Sequence, residues 1–242
     1  MQFLEGIREK FLRLLEEKHL SGDEEVQVVS ARALTSEEAI GRPERHDFPL
    51  LKGKEFMLQA SFKGALGQAY TDMPGNYCGN LKDVLALPLQ NNYERAVFVA
   101  SLNAVMRHLK LVDRTVHCRD AEPGRCAAYL VEYVRERFGC PRIAFIGLQP
   151  AMVASLARHF PIRVTDLDPD NVGQYKEGVL IEDASFNKEI VAWSDLVLAT
   201  GTTAVNNTLE TIIGQKPVIF YGVTISGIAR LAGFEQYCSY GH

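Results

Sequence analysis

Residues 142–171 read RIAFIGLQPAMVASLARHFPIRVTDLDPDN, and two apolar patterns alternate within them. Arg142–Ile146 is short, apolar and rich in β-branched residues, and it stops at Gly147, as a strand buried on both faces does. Pro150 follows at a position where a helix tolerates the missing N–H. Met152, Val153, Leu156 and Ala157 share one helical face until Phe160-Pro161 ends it. A second strand, Ile162–Thr165, then runs into the acidic turn Asp166-Leu-Asp168-Pro-Asp170. Strand, glycine turn, helix, strand and acid make a βαβ unit. Its right-handed crossover sets the turn and the acids at the same edge of a parallel sheet.

An acid about 20 residues beyond the glycine is where nucleotide-binding folds bond a ribose. The rest of that fingerprint is missing. Three glycines are needed for the backbone to approach a pyrophosphate, and here Leu148, Gln149 and Pro150 follow the single Gly147. Gln149 is expected to project into the space a pyrophosphate would fill. The topology is Rossmann-like; ordinary NAD binding is not expected.

Composition bounds the rest. A hydrophobic fraction of 47% and a charged fraction of 23% are those of a globular protein. Net charge is −4 and no helix carries a basic cluster, so no nucleic-acid partner is expected. No apolar run approaches a membrane span, and the charged residues 1–19, MQFLEGIREKFLRLLEEKH, are not a secretory signal. Five cysteines without a Cys-x-x-Cys pair point to reduced thiols and a cytoplasmic location.

Outward from the anchor, residues 2–19 read as an amphipathic helix broken at Ser21-Gly-Asp, and Glu25–Leu34 as a strand. Residues 35–53 look like an exposed loop. Phe56–Phe62 and Leu66–Thr71, joined around Lys63-Gly64, complete an antiparallel meander. Residues 72–80, DMPGNYCGN, are turn chemistry able to approach a ligand. Helices are expected at Leu81–Leu87, Asn92–Leu109 and Glu122–Phe138, with a strand at Val112–His117 between the last two. Later strands fall at Val179–Ile181, Asp195–Ala199 and Val218–Tyr221, separated by helices, which means a doubly wound parallel sheet. The class is therefore α/β, with a small α+β capping domain (1–111) before a Rossmann-like domain (112–242) and the boundary between Lys110 and Asp113.

Several constellations carry candidate chemistry. Thr200-Gly201-Thr202-Thr203 precedes an expected helix, Ala204–Ile213, whose first turns hold Asn206 and Asn207. Threonine caps and free N–H groups there suit an anion, although simple N-capping is the plainer account. Gly147 and Thr200 are expected to end the two strands flanking the crevice where strand order reverses. Asp166 and Asp168 suit a ribose hydroxyl or a hard cation, and equally a solvated Asx turn. His117, Cys118 and Cys126 form the one His/Cys cluster, which suits a transition metal ion; Cys126 also fits a buried helical position as a small hydrophobe. Cys78, between Gly75 and Gly79 in a loop, completes that set if the domains fold together, and is otherwise a candidate reactive thiol. The end of the chain, Tyr240-Gly-His242, reads as frayed.

Ala100–Ala104 (ASLNA), Ile146–Pro150 (IGLQP), Thr165–Asp168 (TDLD) and Ala199–Thr202 (ATGT) resemble a bacterial and archaeal family of unknown function described as putative heavy-metal chelation proteins. The resemblance implies an enolase N-terminal-like domain, then a Rossmann-like domain, with a site in the cleft between them. It also implies a site role for Asn103, which by its own neighbours is a half-exposed helix residue or a local side-chain-to-backbone bond.

The expected function is metal handling: a small anionic or metal-containing ligand in the cleft. Gly147, Gln149, Pro150, Asp166, Asp168, Thr200, Gly201, Thr202 and Asn206 form one wall, and Asn103 with the 75–80 loop forms the other. His117, Cys118 and Cys126 are the soft ligands. The alternative is an enzyme with a nucleotide-like cofactor such as S-adenosylmethionine, its ribose on Asp166 or Asp168. Whether the chain is an enzyme and its oligomeric state stay open, a homodimer being one option.

Overall fold

In the computed structural model the described residues are 2–20, 29–214 and 216–242. Helix α1 (Gln2–Glu17) buries Leu4, Ile7, Phe11 and Leu15, the stripe its spacing predicts. Strand β1 (Val29–Leu34) supplies the end of the expected Glu25–Leu34 strand; residues 25–28, like the break at 21–23, lie outside the described residues.

The expected loop at 35–53 is largely ordered structure. Thr35 and Glu38 form a reciprocal capping box on α2 (Ser36–Ile40), and a 3-10 turn follows at Pro49–Lys52. Ile40, Phe48 and Leu50 are buried there, so the stretch forms wall rather than solvated connection. Strands β2 (Phe56–Phe62) and β3 (Ala65–Thr71) make the expected hairpin, with both Lys63 and Gly64 at positive φ as its two-residue turn requires. Strand β4 (Tyr77–Gly79), unread in the sequence, pairs with the free edge of β1. The sheet is wholly antiparallel, in the order β3-β2-β1-β4.

After α3 (Leu81–Leu85), α4 (Asn92–His108) buries every residue from Arg95 to Met106. A helix apolar all round needs protein on all sides. One side is the antiparallel sheet. A Cβ on Gly67 of β3 would lie 2.2 Å from Ala104 N and 2.4 Å from Ala100 O, so only glycine lets the helix backbone lie this close. The other side meets the second half of the chain.

That half contains α5 (Glu122–Phe138), β5 (Ile143–Ile146), α6 (Pro150–Leu156), β6 (Ile162–Asp166), β7 (Tyr175–Lys176) and β8 (Val179–Asp183). It continues with α7 (Asn187–Trp193), β9 (Leu196–Thr200), α8 (Thr202–Val205), β10 (Val218–Tyr221), α9 (Ser226–Ala232) and β11 (Glu235–Tyr237). The sheet order is β11-β10-β9-β5-β6-β8-β7, parallel except for β7 against β8. The expected α/β class, with an antiparallel N-terminal sheet and a Rossmann-like parallel sheet, is what the chain adopts. Strand order reverses between β5 and β9, as expected. Among the described residues no helix is long and apolar enough to cross a membrane.

Two expectations fail. Residues 112–117 form no strand, because they join two neighbours through isolated bonds instead of a ladder. Gln68 N–H donates to Thr115 O (2.9 Å), and Thr115 and Val116 N–H both donate to His242 O (3.1 and 2.7 Å). His242 N–H returns a bond to Val116 O (2.8 Å), so the terminal residue is fastened rather than frayed.

Asn103 joins α4 to both halves. Its Nδ2 donates to Gln68 O in β3 (2.9 Å) and, ahead of α9, to Val223 O and Thr224 O (3.2 and 3.1 Å). Its Oδ1 accepts from Gly227 N–H (2.7 Å). Replacing it by leucine leaves several buried backbone groups without a partner. Asn103→Leu is expected to cost about 3 kcal/mol; urea unfolding at near wild-type stability would contradict this account.

Candidate functional site

Strand β5 delivers the chain to Gly147 at φ +87°, a conformation for which glycine is suited. Space demands glycine as well, since a Cβ there would lie 2.5 Å from Thr200 Cγ2 at the end of β9. The Tyr221 hydroxyl at the end of β10 donates to Gly147 O (2.6 Å). The carboxyl ends of β5, β9 and β10 are thus locked together where strand order reverses.

The acidic turn is built around Asp166. Its Oδ2 accepts from Leu148 N–H (2.6 Å) and its Oδ1 from Asp168 N–H (2.7 Å), which ties the loop after β6 to the turn after β5. Asp168 meets Lys54 from the N-terminal part at 2.7 Å, and the same ammonium reaches Asp170 at 2.5 Å. Burial pushes the Asp168 pKa up, but the bonds from Lys54 and Asp170 N–H outweigh it and hold the carboxyl below its usual value.

These groups face a cavity of about 710 Å³ lined by both halves of the chain. Of the residues expected there, Gly147, Gln149, Asp166, Asp168, Thr200, Thr202 and Asn206 line it, with His117, Cys118 and Cys126. Pro150, Gly201 and Asn103 do not. Pro150 is buried in the first turn of α6. Gly201 packs against Ile225, where a Cβ would meet Ile225 N at 2.7 Å. The amide of Asn103 is occupied by backbone groups, as described above. The 75–80 loop is also absent from the lining; Ile40, Phe48, Leu50, Lys54, Glu55 and Tyr70–Asp72 take its place.

Two local readings change. Gln149 Oε1 accepts from Met152 N–H (2.5 Å), so this side chain caps α6 besides lining the cavity. The helix after Thr200 has four residues, Thr202–Val205, instead of running to Ile213. Asn207, at φ +57°, turns the chain out of it. Too few peptides align there for a useful dipole, and the threonines bond one another: Thr202 Oγ1 to Thr200 Oγ1 at 3.0 Å, Thr203 Oγ1 to Thr200 O at 2.8 Å.

The thiols gather differently from the expectation. Cys78 is exposed and outside the cavity, whereas Cys238, buried near β11, joins Cys118 and Cys126 in the lining. Burial raises the pKa of all three thiols, Cys238 to about 12, so they are protonated at neutral pH. Burial also drives His117 down to about 4, and its Nδ1 lies 2.6 Å from Cys118 O, so the neutral ring donates there. Among the described residues no three His, Cys, Asp or Glu side chains are arranged to hold a metal ion.

The sequence did not reveal Glu55, Lys54, Tyr70, Tyr221 or Cys238 as lining residues, and it marked Asp72 only as the start of the 72–80 turn. Within the cavity Glu55, Asp72, Asp166, Asp168 and Asp170 stand against Lys54, giving a negative balance. Glu55 is pushed up to about 7, first by burial and then by Asp166, Asp168 and Asp72.

Residues 130–234 match the DUF364 family model, described as putative heavy-metal chelation. The family read from the sequence is the one found. Its model covers most of the parallel sheet and none of the antiparallel one. Two crystal structures of DUF364 proteins of unknown function are similar. That from Pyrococcus horikoshii is 18% identical and covers 92% of this chain and 79% of its own, with a TM-score of 0.55. That from Desulfitobacterium hafniense is 10% identical and covers 74% of this chain and 73% of its own, with a TM-score of 0.51. At these identities the likeness is one of fold. No curated protein matches.

The glycine turn gives a direct test. Gly147→Ala meets both an unfavourable φ and the Thr200 methyl, and is expected to cost about 3 kcal/mol. Thr200→Ser in that background removes the clashing methyl and should return roughly 1 kcal/mol, read as coupling in a double-mutant cycle of urea unfolding.

Proposed function

We propose that this chain handles a metal-bearing, cationic small molecule held in the cavity, with residues 1–111 and 112–242 as the two domains that enclose it. The observation that carries this reading is the charge balance. Glu55, Asp72, Asp166 and Asp168 line one space with Lys54, and that ammonium is already paired with Asp168 and Asp170. In a cavity such a surplus attracts cations and repels anions. It favours the metal-bearing half of the expectation over the anionic half, and the shortness of α8 points the same way.

Size refines the ligand. About 710 Å³ is far more than a bare ion needs and lies in the range of small-molecule sites. Together with the lack of a side-chain cage among the described residues, it favours a metal that arrives as a complex with its own donors. The family's description as putative heavy-metal chelation agrees with that. A nucleoside cofactor such as S-adenosylmethionine is less well served. Asp166, the acid placed for a ribose, already uses both oxygens on Leu148 and Asp168 N–H groups.

Equilibrium dialysis with elemental analysis tests the reading. Nickel(II) as its tris(ethylenediamine) dication should be retained, and nickel(II) as its anionic EDTA complex should not. Asp72→Asn combined with Asp168→Asn should weaken retention about tenfold through lost charge. Cys118→Ser should leave it unchanged, because that thiol is protonated. Retention of the anionic complex in preference to the cation would sink the reading.

A further inference from the structure

Glu55 lies at the entry to β2, immediately after Lys54, and opens on the cavity. The two neighbours behave differently. Lys54 leaves toward Asp168 and Asp170. Glu55 turns inward, and among the described residues no hydrogen-bond donor or cation reaches its carboxylate. Glu55 is half-buried, and it lines the cavity.

The groups around it come from several elements. Asp72 follows β3, Asp166 ends β6 and Asp168 follows it, Tyr70 stands in β3 and Tyr221 ends β10. The carboxylates repel a charge on Glu55, and both tyrosines are held neutral by burial. His117, across Tyr70, is neutral above a pH of about 4 and adds no positive charge. An unpaired carboxyl that lines a cavity among three other carboxylates is a place where a cation would be held.

We infer that Glu55 receives the positive charge of the cavity's ligand, and that binding drives one proton off its carboxyl. The inference rests on the cavity being the ligand site, as proposed above, and adds the contact residue and the proton coupling. The atoms balance simply: the Glu55 carboxyl gives its proton to solvent, and the carboxylate accepts hydrogen bonds from the cation's own N–H or O–H groups.

Linkage fixes the direction of the pH effects. The Glu55 carboxyl rises from 4.5 to about 7 on folding. The native state therefore holds the proton more tightly, and this group's contribution to stability falls as pH rises from about 4.5 to about 7. Ligand binding runs the other way and strengthens over the top of that range.

Hexaamminecobalt(III) is a suitable probe, because it is a substitution-inert cation covered with N–H donors and does not come apart in mild acid. Wild-type protein should bind it about tenfold more tightly at pH 8 than at pH 6. Calorimetry in buffers of different ionisation enthalpy should show about 0.9 proton released at pH 6 and about 0.1 at pH 8. Glu55→Gln should bind weakly with no pH dependence and release no proton. Relative to wild type, the same variant should gain urea stability as pH rises from about 4.5 to about 7, because it lacks the falling contribution of Glu55 while the rising one of His117 is common to both proteins; this readout needs no ligand and shows the variant to be folded. Absence of binding to wild type at pH 8, equal binding by Glu55→Gln, or affinity that ignores pH would overturn the inference. Should nickel(II) tris(ethylenediamine) be retained equally by wild type and Glu55→Gln, the metal-handling reading survives and the role of Glu55 does not.

Discussion

Helix α4 has no face for water, and the rest of the molecule is arranged around that constraint. Twelve consecutive residues of it, Arg95 to Met106, are buried. The antiparallel sheet accepts one side because Gly67 leaves room for the helix backbone. The second half of the chain accepts the other, where Gly227 of α9 lies against Leu102 and Asn103. Asn103 bonds β3 on one side and the turn before α9 on the other. With β3 and α9 fixed to the same helix, Tyr70–Asp72 at the end of β3 are held opposite the carboxyl ends of β9 and β10. The cavity is the space left between them.

That geometry explains how so many acids coexist there. Each is stabilised by a different means. Asp166 accepts two backbone N–H groups, Asp168 is met by Lys54 from the opposite wall, and Asp72 accepts from Asn92 Nδ2 at 2.7 Å. Glu55 has none of these and keeps its proton to about neutrality instead. Of the four acids, three thus have hydrogen-bond partners and Glu55 has none among the described residues. The buried thiols at the Cys238 side are neutral and act as soft apolar lining.

Much of the fold was legible. The run from Arg142 to Asp166 gave strand, turn, helix and strand, since a doubly buried strand and an amphipathic helix differ in period and length. The meeting of Gly147 and Thr200 followed from topology alone. Where the reading failed, a local signal had been given the wrong weight. Thr35 and Glu38 form a capping box inside a stretch read as loop, and Asn206-Asn207, read as part of a longer helix, mark the end of a short one. Asn103 was rightly singled out as unusual, but its partners are backbone atoms of both halves and lie outside the cavity.

By itself the sequence determined the kinds of element, the directions of the strands and the edge of the parallel sheet at which the glycine and the acids meet. These depend on periodicity, on backbone freedom and on the handedness of crossovers, all of which act over short stretches of chain. Only the tertiary structure decided that Glu55 lines the cavity with no partner among the described residues, that Lys54 pairs with Asp168 and Asp170, and that Cys238 rather than Cys78 joins Cys118 and Cys126. Charge, burial and protonation act through space between segments far apart in sequence, and no local pattern encodes those distances.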